Sequence, residues 1–138
     1  MLVPKKVKFR KWHKMRRNDA KPKVETRGAT LAFGSFGLKA ESAERITSNQ
    51  LEAARKAMSR KLTKVGRVWT RIFPDMPFTR KAAEVPMGQG KGDLAGYCTQ
   101  VYPGRIIFEV DGVTADVAKE ALRKAGTKLP IKTRIIAR

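Results

Sequence analysis

The spacing of apolar residues predicts a helix near the middle of the chain. Its buried side is a stripe at intervals of three or four residues, which keeps every member on one face at 3.6 residues per turn. The stripe consists of Leu51, Ala54, Met58, Leu62 and Val65. Thr47 or Ser48 is placed to cap the start of this helix, and Gly66 is placed to end it.

A second helix is predicted towards the end of the chain. Thr114 can cap its start, and Gly126 and Pro130 stop it. The residues expected to face inward are Val117, Ala121, Leu122 and Ala125.

Runs of alternating apolar residues predict five strands. They lie at residues 30–38, 68–73, 97–102, 105–110 and 131–136. The first run changes phase, which indicates a bulge at Gly34 and Ser35. Pro103 and Gly104 suit the centre of a type II turn, so the third and fourth runs are expected to form a hairpin. This order predicts an α+β fold, a single compact domain at residues 28–138 with two helices and a mixed, mostly antiparallel sheet.

An extended loop is predicted at residues 74–96, where three prolines delimit a poorly structured stretch. It contains Pro86-Met-Gly-Gln-Gly-Lys-Gly-Asp93, which matches no nucleotide-binding motif. A P-loop needs Ser or Thr where Gly92 stands, and a dinucleotide fingerprint needs a different glycine spacing followed by a helix. The glycine backbone and Lys91 can approach phosphate oxygens, and a plain flexible connector is the alternative.

Charge is the strongest indication of function. The chain has 31 Lys and Arg against 12 Asp and Glu, a formal net charge of +19. Such a domain repels itself unless a polyanion neutralises it, which favours nucleic acid as the partner. A membrane is less favoured, because no apolar run approaches the ~20 residues that span a bilayer.

The first 27 residues are the most basic part of the chain, with eleven basic and two acidic residues. Charged positions interrupt the apolar ones too often for a core, so residues 1–27 are expected to form an arm that becomes ordered on a partner. Phe9, Trp12 and His13 can stack on bases or pack on the domain. A floppy solubilising tail is the alternative.

The first helix also carries a basic side opposite its apolar stripe. The residues there are Lys56, Arg60, Lys64 and Arg67. Because only Glu52 offers an acidic partner one turn away, the pattern favours an RNA-facing surface over an ordinary solvated one. Arg71 lies between Trp69 and Phe73 and can contact phosphate, stack on a base or occupy a strand edge, which the sequence leaves open.

The residues present no catalytic constellation. The only histidine, His13, sits in the basic arm, and the only cysteine, Cys98, is expected to be a small buried hydrophobe. Glu109 and Asp111 are expected to be strand-edge charges paired with nearby lysine or arginine. We therefore expect no enzymatic activity, no cofactor and no metal site.

Short segments in a characteristic order run nearly the whole length of the chain. They are Pro4-Lys5, Lys8-Phe-Arg-Lys11 with His13-Lys14, Phe33-Gly-Ser-Phe-Gly-Leu-Lys-Ala40, Glu52-Ala-Ala-Arg55 with Ala57-Met58, Arg71, Phe73-Pro-Asp75, Met87-Gly88 with Gly90-Lys-Gly92, Pro103-Gly104, and Lys128-Leu-Pro-Ile-Lys-Thr133. Through them the chain closely resembles the bacterial form of the large-subunit ribosomal protein sixteen family, whose archaeal and eukaryotic relatives carry the ten-e name.

The resemblance implies a non-enzymatic domain of the α/β-hammerhead type, bound to large-subunit ribosomal RNA near the base of the central protuberance. Members of the family help to complete late assembly of the subunit. They also support transfer RNA in the aminoacyl site, with contact to the peptidyl site as an extension of that role. The glycine loop reaches toward the peptidyl-transferase region.

Carried onto this chain, the resemblance and the charge pattern give two sets of candidate residues. The expected ribosomal-RNA-binding residues are Lys5, Lys6, Lys8, Arg10, Lys11, Trp12, His13, Lys14, Arg16, Arg17, Lys56, Arg60, Lys64, Arg67 and Arg71. The expected loop near transfer RNA comprises Met87, Gly88, Gln89, Gly90, Lys91 and Gly92. Pro86 and Gln89 stand where the family commonly has arginine and lysine, so the loop should rely more on its backbone and on Lys91.

The resemblance further implies neighbouring ribosomal proteins as partners, no homo-oligomer, and a place in the cytoplasmic ribosome, with an organellar ribosome as the alternative. Two other functions stay open from the residues alone. A nucleotide-using enzyme built on the glycine loop would bind a nucleoside triphosphate with magnesium. A free nucleic-acid binder would bind DNA as well as it binds folded ribosomal RNA.

Overall fold

The computed structural model describes residues 1–14, 18 and 20–138, and it contains two helices and seven strands in those ranges. In chain order the elements are β1 (Phe36–Ala40), β2 (Glu44–Thr47), α1 (Ser48–Leu62), β3 (Arg67–Thr70), β4 (Met76–Arg80), β5 (Asp93–Val101), β6 (Ile106–Asp111), α2 (Ala115–Gly126) and β7 (Thr133–Ala137). The predicted α+β class, with both helices, is confirmed.

The strands form two antiparallel sheets rather than one. The four-stranded sheet has the order β3-β6-β1-β7, and the three-stranded sheet has the order β2-β5-β4. Strand β6 is buried from Ile106 to Val110, because it is central in its sheet and is covered by helix α2 on one face. The antiparallel character expected from the sequence is confirmed.

The turn at Pro103 and Gly104 forms, but the hairpin predicted around it is wrong. Gly104 has φ +100°, and the Arg105 N–H donates to the Tyr102 carbonyl at 3.3 Å, as a type II turn requires. The Gly104 N–H then donates to the carbonyl of Ala40 at the end of β1. This contact directs the chain out of β5 and into the other sheet, so the turn is a corner between sheets.

Both helices bury most of the predicted apolar stripes, but Val117 is only partly buried, and Ala118, which was not predicted, is buried. The buried residues are Leu51, Ala54, Met58 and Leu62 in α1, and Ala118, Ala121, Leu122 and Ala125 in α2. The helices pack on each other; α2 covers β1, β6 and β7, whereas α1 reaches β3 and also the three-stranded sheet. Burial of these two stripes against the sheets forms the core.

The ends of α1 show which local signals were decisive. Thr47 is the N-cap, and its hydroxyl and the Gln50 side chain exchange hydrogen bonds with each other's backbone N–H in a capping box. The helix ends at Leu62 because Thr63 leaves helical geometry with φ 55°, so the prediction that Gly66 ends it is wrong. Val65 therefore lies beyond the helix and is 74% exposed, so its place in the predicted stripe is wrong.

Several predicted strand and loop boundaries also differ from the structure, including β3, which ends at Thr70 rather than at residue 73, and β7, which begins at Thr133 rather than at residue 131. Residues 30–35 form a loop without a bulge, because backbone N–H groups in it bond a side chain instead of a neighbouring strand. Strands β4 and β5 occupy both ends of the predicted loop 74–96, which leaves residues 81–92 as the loop. Strand β2 was not predicted at all.

Residues 1–14 form neither helix nor strand, and Leu2 packs on the core at the start of this segment. Further along the chain, the Glu25 N–H donates to the Pro103 carbonyl at 2.9 Å. This hydrogen bond attaches the chain before β1 to the turn at Pro103 and Gly104. No helix in the described ranges is both long enough and apolar enough to cross a membrane.

Candidate nucleic-acid interface

Helix α1 presents lysine and arginine on its solvent side. Lys56 and Arg60 are exposed on the helix, and Lys64 is exposed just after its end. Among the described residues, no ion pair involves any of these three. We call them the α1 cation face. Arg67 does not extend it as predicted, because α1 has ended and Arg67 begins β3.

The acidic residue that was expected to balance Lys56 is engaged elsewhere. The Arg55 side chain donates to both carboxylate oxygens of Glu52, at 3.0 and 2.6 Å. This two-point contact lowers the pKa of Glu52 to about 2. The carboxylate is therefore oriented towards Arg55 and acts on Lys56 only as a weaker, through-space charge, so the α1 cation face has no ion-paired acidic partner on the helix among the described residues.

The N-terminal segment is equally open to solvent. Its exposed candidates are Lys5, Lys6, Lys8, Arg10, Lys11, His13 and Lys14. Trp12 is 40% exposed and Phe9 is 61% exposed, with the Lys8 ammonium 5.5 Å from the centre of the Phe9 ring. Arg16 and Arg17, also expected to bind RNA, lie outside the described residues.

The arm and the glycine loop touch, which the sequence did not indicate. The Lys91 ammonium donates to the backbone carbonyl of Trp12, and the Lys11 ammonium donates to the carbonyl of Lys91 at 3.3 Å. These residues are about 80 positions apart in the sequence, so the contacts place the two candidate binding segments side by side.

The loop at residues 81–92 has a tip that is open to solvent. Gly88 and Gly90 have φ +108° and +94°, a backbone that favours glycine, and a Cβ on either would meet no atom within 4 Å. Gly92 differs, because a Cβ there would lie 2.8 Å from the Arg80 carbonyl across the base of the loop. Lys81 donates to the Gly88 carbonyl and so holds the tip in shape.

A buried carboxylate organises the loop before β1, and sequence reasoning missed it. Glu109 is fully buried on β6 and accepts the Phe33 N–H at 2.6 Å and the Gly34 N–H at 2.7 Å. It also accepts the Ala32 N–H at 3.2 Å and forms an ion pair with Arg71. The prediction of an arginine partner is confirmed, but the strand-edge position is wrong, because β6 is central in its sheet.

Two opposing effects act on the Glu109 carboxyl group. Burial raises its pKa, whereas the three backbone N–H groups and the Arg71 guanidinium lower it by favouring the charged form. The net result is a pKa below the ordinary glutamate value. Arg71, expected to contact RNA, thus has its charge matched within the protein.

The other residues considered for chemistry have structural surroundings. The Ser35 hydroxyl donates to Asp111 at 2.8 Å and, with the Gly112 N–H, lowers the pKa of Asp111. Cys98 is buried as predicted, and burial raises the pKa of its thiol. Within the part of the chain that is described, no cluster of three His, Cys, Asp or Glu residues could hold a metal ion.

Fold and surface define a small, strongly basic α+β protein. Its sequence matches the pattern of the family described as ribosomal protein L16p/L10e over residues 4–136, and the chain belongs to that family. The large ribosomal subunit protein uL16 of Rhodopseudomonas palustris strain BisB18 is 58% identical over 138 residues, which cover 100% of this chain and 98% of the relative. The proteins of that name from Afipia carboxidovorans and Nitrobacter winogradskyi are each 56% identical over the same shares.

Family membership confirms the resemblance drawn from the sequence. The family is structural and non-enzymatic, which rules out the nucleotide-using enzyme as an alternative. The chain is a structural constituent of the large ribosomal subunit, located with the cytoplasmic ribosome.

Proposed function

We propose that the chain binds large-subunit ribosomal RNA through two surfaces, the arm at residues 1–27 and the α1 cation face of the domain at residues 28–138. The observation that carries this proposal is the face itself: Lys56, Arg60 and Lys64 are exposed, while Glu52 is held by Arg55. Exposed cations without an ion-paired partner, spaced along one helix side, are suited to a run of backbone phosphates.

The glycine loop has a separate task in this proposal. Its tip approaches transfer RNA in the aminoacyl site, with the peptidyl site within reach, while the chain as a whole supports late subunit assembly. The open space around Gly88 and Gly90 supports this role, because backbone without Cβ atoms can come close to another surface. Lys91 would supply charge at the tip, where Gln89 supplies none.

The partner is RNA of the large subunit, because the chain's relatives are named as proteins of that subunit. Neighbouring ribosomal proteins complete its surroundings, and the chain acts as a single copy without a membrane. Its affinity should fall steeply with salt, since each phosphate neutralised by lysine or arginine releases counterions.

The test removes the α1 cation face and compares it with an equal loss of charge elsewhere. One variant replaces Lys56, Arg60 and Lys64 by Gln, and the control replaces Lys119, Arg123 and Lys128, which are exposed on and after α2. Affinity for naked large-subunit ribosomal RNA is measured across a salt series. The magnitude of the slope of log affinity against log salt should fall by roughly two to three for the first variant, from three lost phosphate contacts. Equal slopes for both variants would sink the proposal.

A further inference from the structure

The loop before β1 holds a large aromatic side chain in solvent. Phe33 is 57% exposed, and it lies in the loop at residues 30–35 that caps the four-stranded sheet. An exposed phenylalanine on a mobile loop would need no explanation. This one is fixed, because its own N–H and those of Ala32 and Gly34 all donate to the Glu109 carboxylate.

The fixation uses an arrangement that a solvent loop does not require. A buried carboxylate is unfavourable unless several hydrogen bonds and an opposite charge compensate it, and here Glu109 has three backbone donors and Arg71. Gly34 is needed for it as well, since a Cβ there would lie 2.7 Å from the Val110 carbonyl oxygen. The result is a rigid backbone under an exposed ring.

The ring itself is supported from one side. Its centre lies 6.0 Å from that of Trp69 with 17° between the planes, and the Arg71 guanidinium carbon lies 5.1 Å from the Phe33 centre. Arg71 lies just after β3, but its N–H donates to the Ile107 carbonyl of β6 at 2.8 Å, so the backbone stays paired there and Trp69 and Arg71 lie on the same side. Despite both contacts, 57% of Phe33 stays exposed, so the ring keeps surface free for another partner.

The charge around this ring indicates what occupies its free face. Arg67 is exposed and lies two residues before Trp69, so it borders the stacked rings with a cation. Arg71 is matched by Glu109, whereas Arg67 lies opposite Asp111 but forms no ion pair with it among the described contacts, so Arg67 is the neighbour suited to phosphate. A rigid aromatic face beside a cation, on a protein of net charge +19, suits an unpaired nucleobase and its backbone.

We infer that Phe33, seated on Trp69 and Arg71, is a stacking platform for one unpaired base of large-subunit ribosomal RNA, with Arg67 binding the adjacent phosphate. The inference rests on the proposed function and adds a site outside the arm and the α1 cation face. The hydrogen bonds to Glu109 fix the position and orientation of Phe33 before RNA binds, so that little conformational freedom is lost on binding.

The experiment uses the full chain with Trp12→Phe, which leaves Trp69 as the only tryptophan. Large-subunit ribosomal RNA of Rhodopseudomonas palustris is titrated in, and Trp69 fluorescence is recorded together with affinity. We expect quenching of Trp69 on binding. Phe33→Leu should weaken affinity roughly 5- to 100-fold, as loss of one base–aromatic stack does, with the salt slope unchanged. Phe33→Tyr should restore the affinity.

Controls separate this inference from the proposed function. Phe73→Leu removes another exposed aromatic near β3 that stacks on neither Phe33 nor Trp69 among the described contacts, and it should keep the affinity. Unchanged unfolding of Phe33→Leu in urea shows that the Glu109 network is intact. If Phe33→Leu binds normally while the α1 triple variant does not, the platform is wrong and the proposed function stands. If it binds RNA normally but enters subunits poorly, the face binds a neighbouring protein, which overturns the inference.

Discussion

Arg71 pairs with Glu109, and the carboxylate of that pair is fully buried in the central strand of the four-stranded sheet. The same carboxylate receives N–H groups from the loop before β1, 75 to 77 positions earlier in the sequence. One side chain therefore ties together the loop, strand β6 and the segment after β3. It is the most concentrated polar interaction among the described residues.

Glu109→Gln should destabilise the protein by about 3 kcal/mol. The change leaves Arg71 facing a neutral amide and weakens the hold on the loop, and removing one partner of a buried pair costs roughly 3–5 kcal/mol. We place the effect at the low end because the Arg71 side chain keeps 19% of its surface exposed. The midpoint of urea unfolding measures it, with an unchanged slope.

Glu52→Gln is the matched control, because it removes an ion pair between Glu52 and Arg55 within the solvent side of α1. Such partly exposed pairs contribute roughly 0–1 kcal/mol. Equal losses in the two variants would mean that Glu109 stabilises the fold no more than a surface charge does.

Stability should fall in acid partly through Glu109. Its pKa is lowered in the folded protein, so the carboxylate is favoured there relative to the unfolded chain. Its contribution is fully present above the ordinary glutamate pKa of about 4.3 and is lost as pH falls through the lower folded value. Urea unfolding followed from pH 7 down to pH 2 should show a shallower acid decline for Glu109→Gln. Parallel curves for the two proteins would contradict this assignment.

The sequence predicted those structural features that depend on residues close to one another in the chain. The α1 cap at Thr47, most of the apolar stripes of both helices and the turn at Gly104 depend on residues within a few positions of each other, and the structure contains these features. The hairpin failed because the pairing of β5 and β6 is decided by distant strands. The Glu109 network was invisible for the same reason, since a carboxylate two residues from Asp111 looks like any surface charge until the sheet is assembled.

In the candidate interface, too, some features set by nearby residues were predicted, and the contact between distant residues was not. The basic character of α1 could be predicted from helical spacing. The ion pair of Glu52 could not, because Glu52 pairs with Arg55, three residues later, instead of with the expected partner Lys56, four residues later. Arg67 left the helix face because Thr63 ends the helix early. The contact of Lys91 with Trp12 could not be predicted, because no local pattern relates a loop to an arm 79 positions away.

Gly34→Ala should destabilise the fold, whereas Gly90→Ala should leave it nearly unchanged. The new Cβ at Gly34 would lie 2.7 Å from the Val110 carbonyl oxygen, and β6 is packed too tightly to move. Forcing extra atoms into such a site costs roughly 1–3 kcal/mol. At Gly90 a Cβ meets nothing, so only the strain of its φ of +94° remains, and the exposed loop can relax it. Thermal unfolding of both variants decides the matter, and a larger loss at Gly90 would mean that the loop is part of the folded core.

Lys91→Ala should leave incorporation into large subunits unchanged and weaken transfer RNA in the aminoacyl site roughly fivefold, as expected for an exposed charged contact worth about 1 kcal/mol. Lys91 also holds the arm by donating to the Trp12 carbonyl, so charge and tether must be separated. Lys91→Gln keeps a donor for that carbonyl but no charge, and Lys91→Arg keeps both.

If charge acts on the transfer RNA, binding by purified ribosomes should fall for Ala and Gln alike and stay normal for Arg. Lys11→Ala loosens the same junction from the arm side, where the Lys11 ammonium donates to the Lys91 carbonyl at 3.3 Å, and it should spare transfer RNA. Loss of binding in Lys91→Ala with normal binding in Lys91→Gln would instead assign the effect to the tether. An assembly defect as large as the transfer RNA defect would contradict the division of labour between loop and arm.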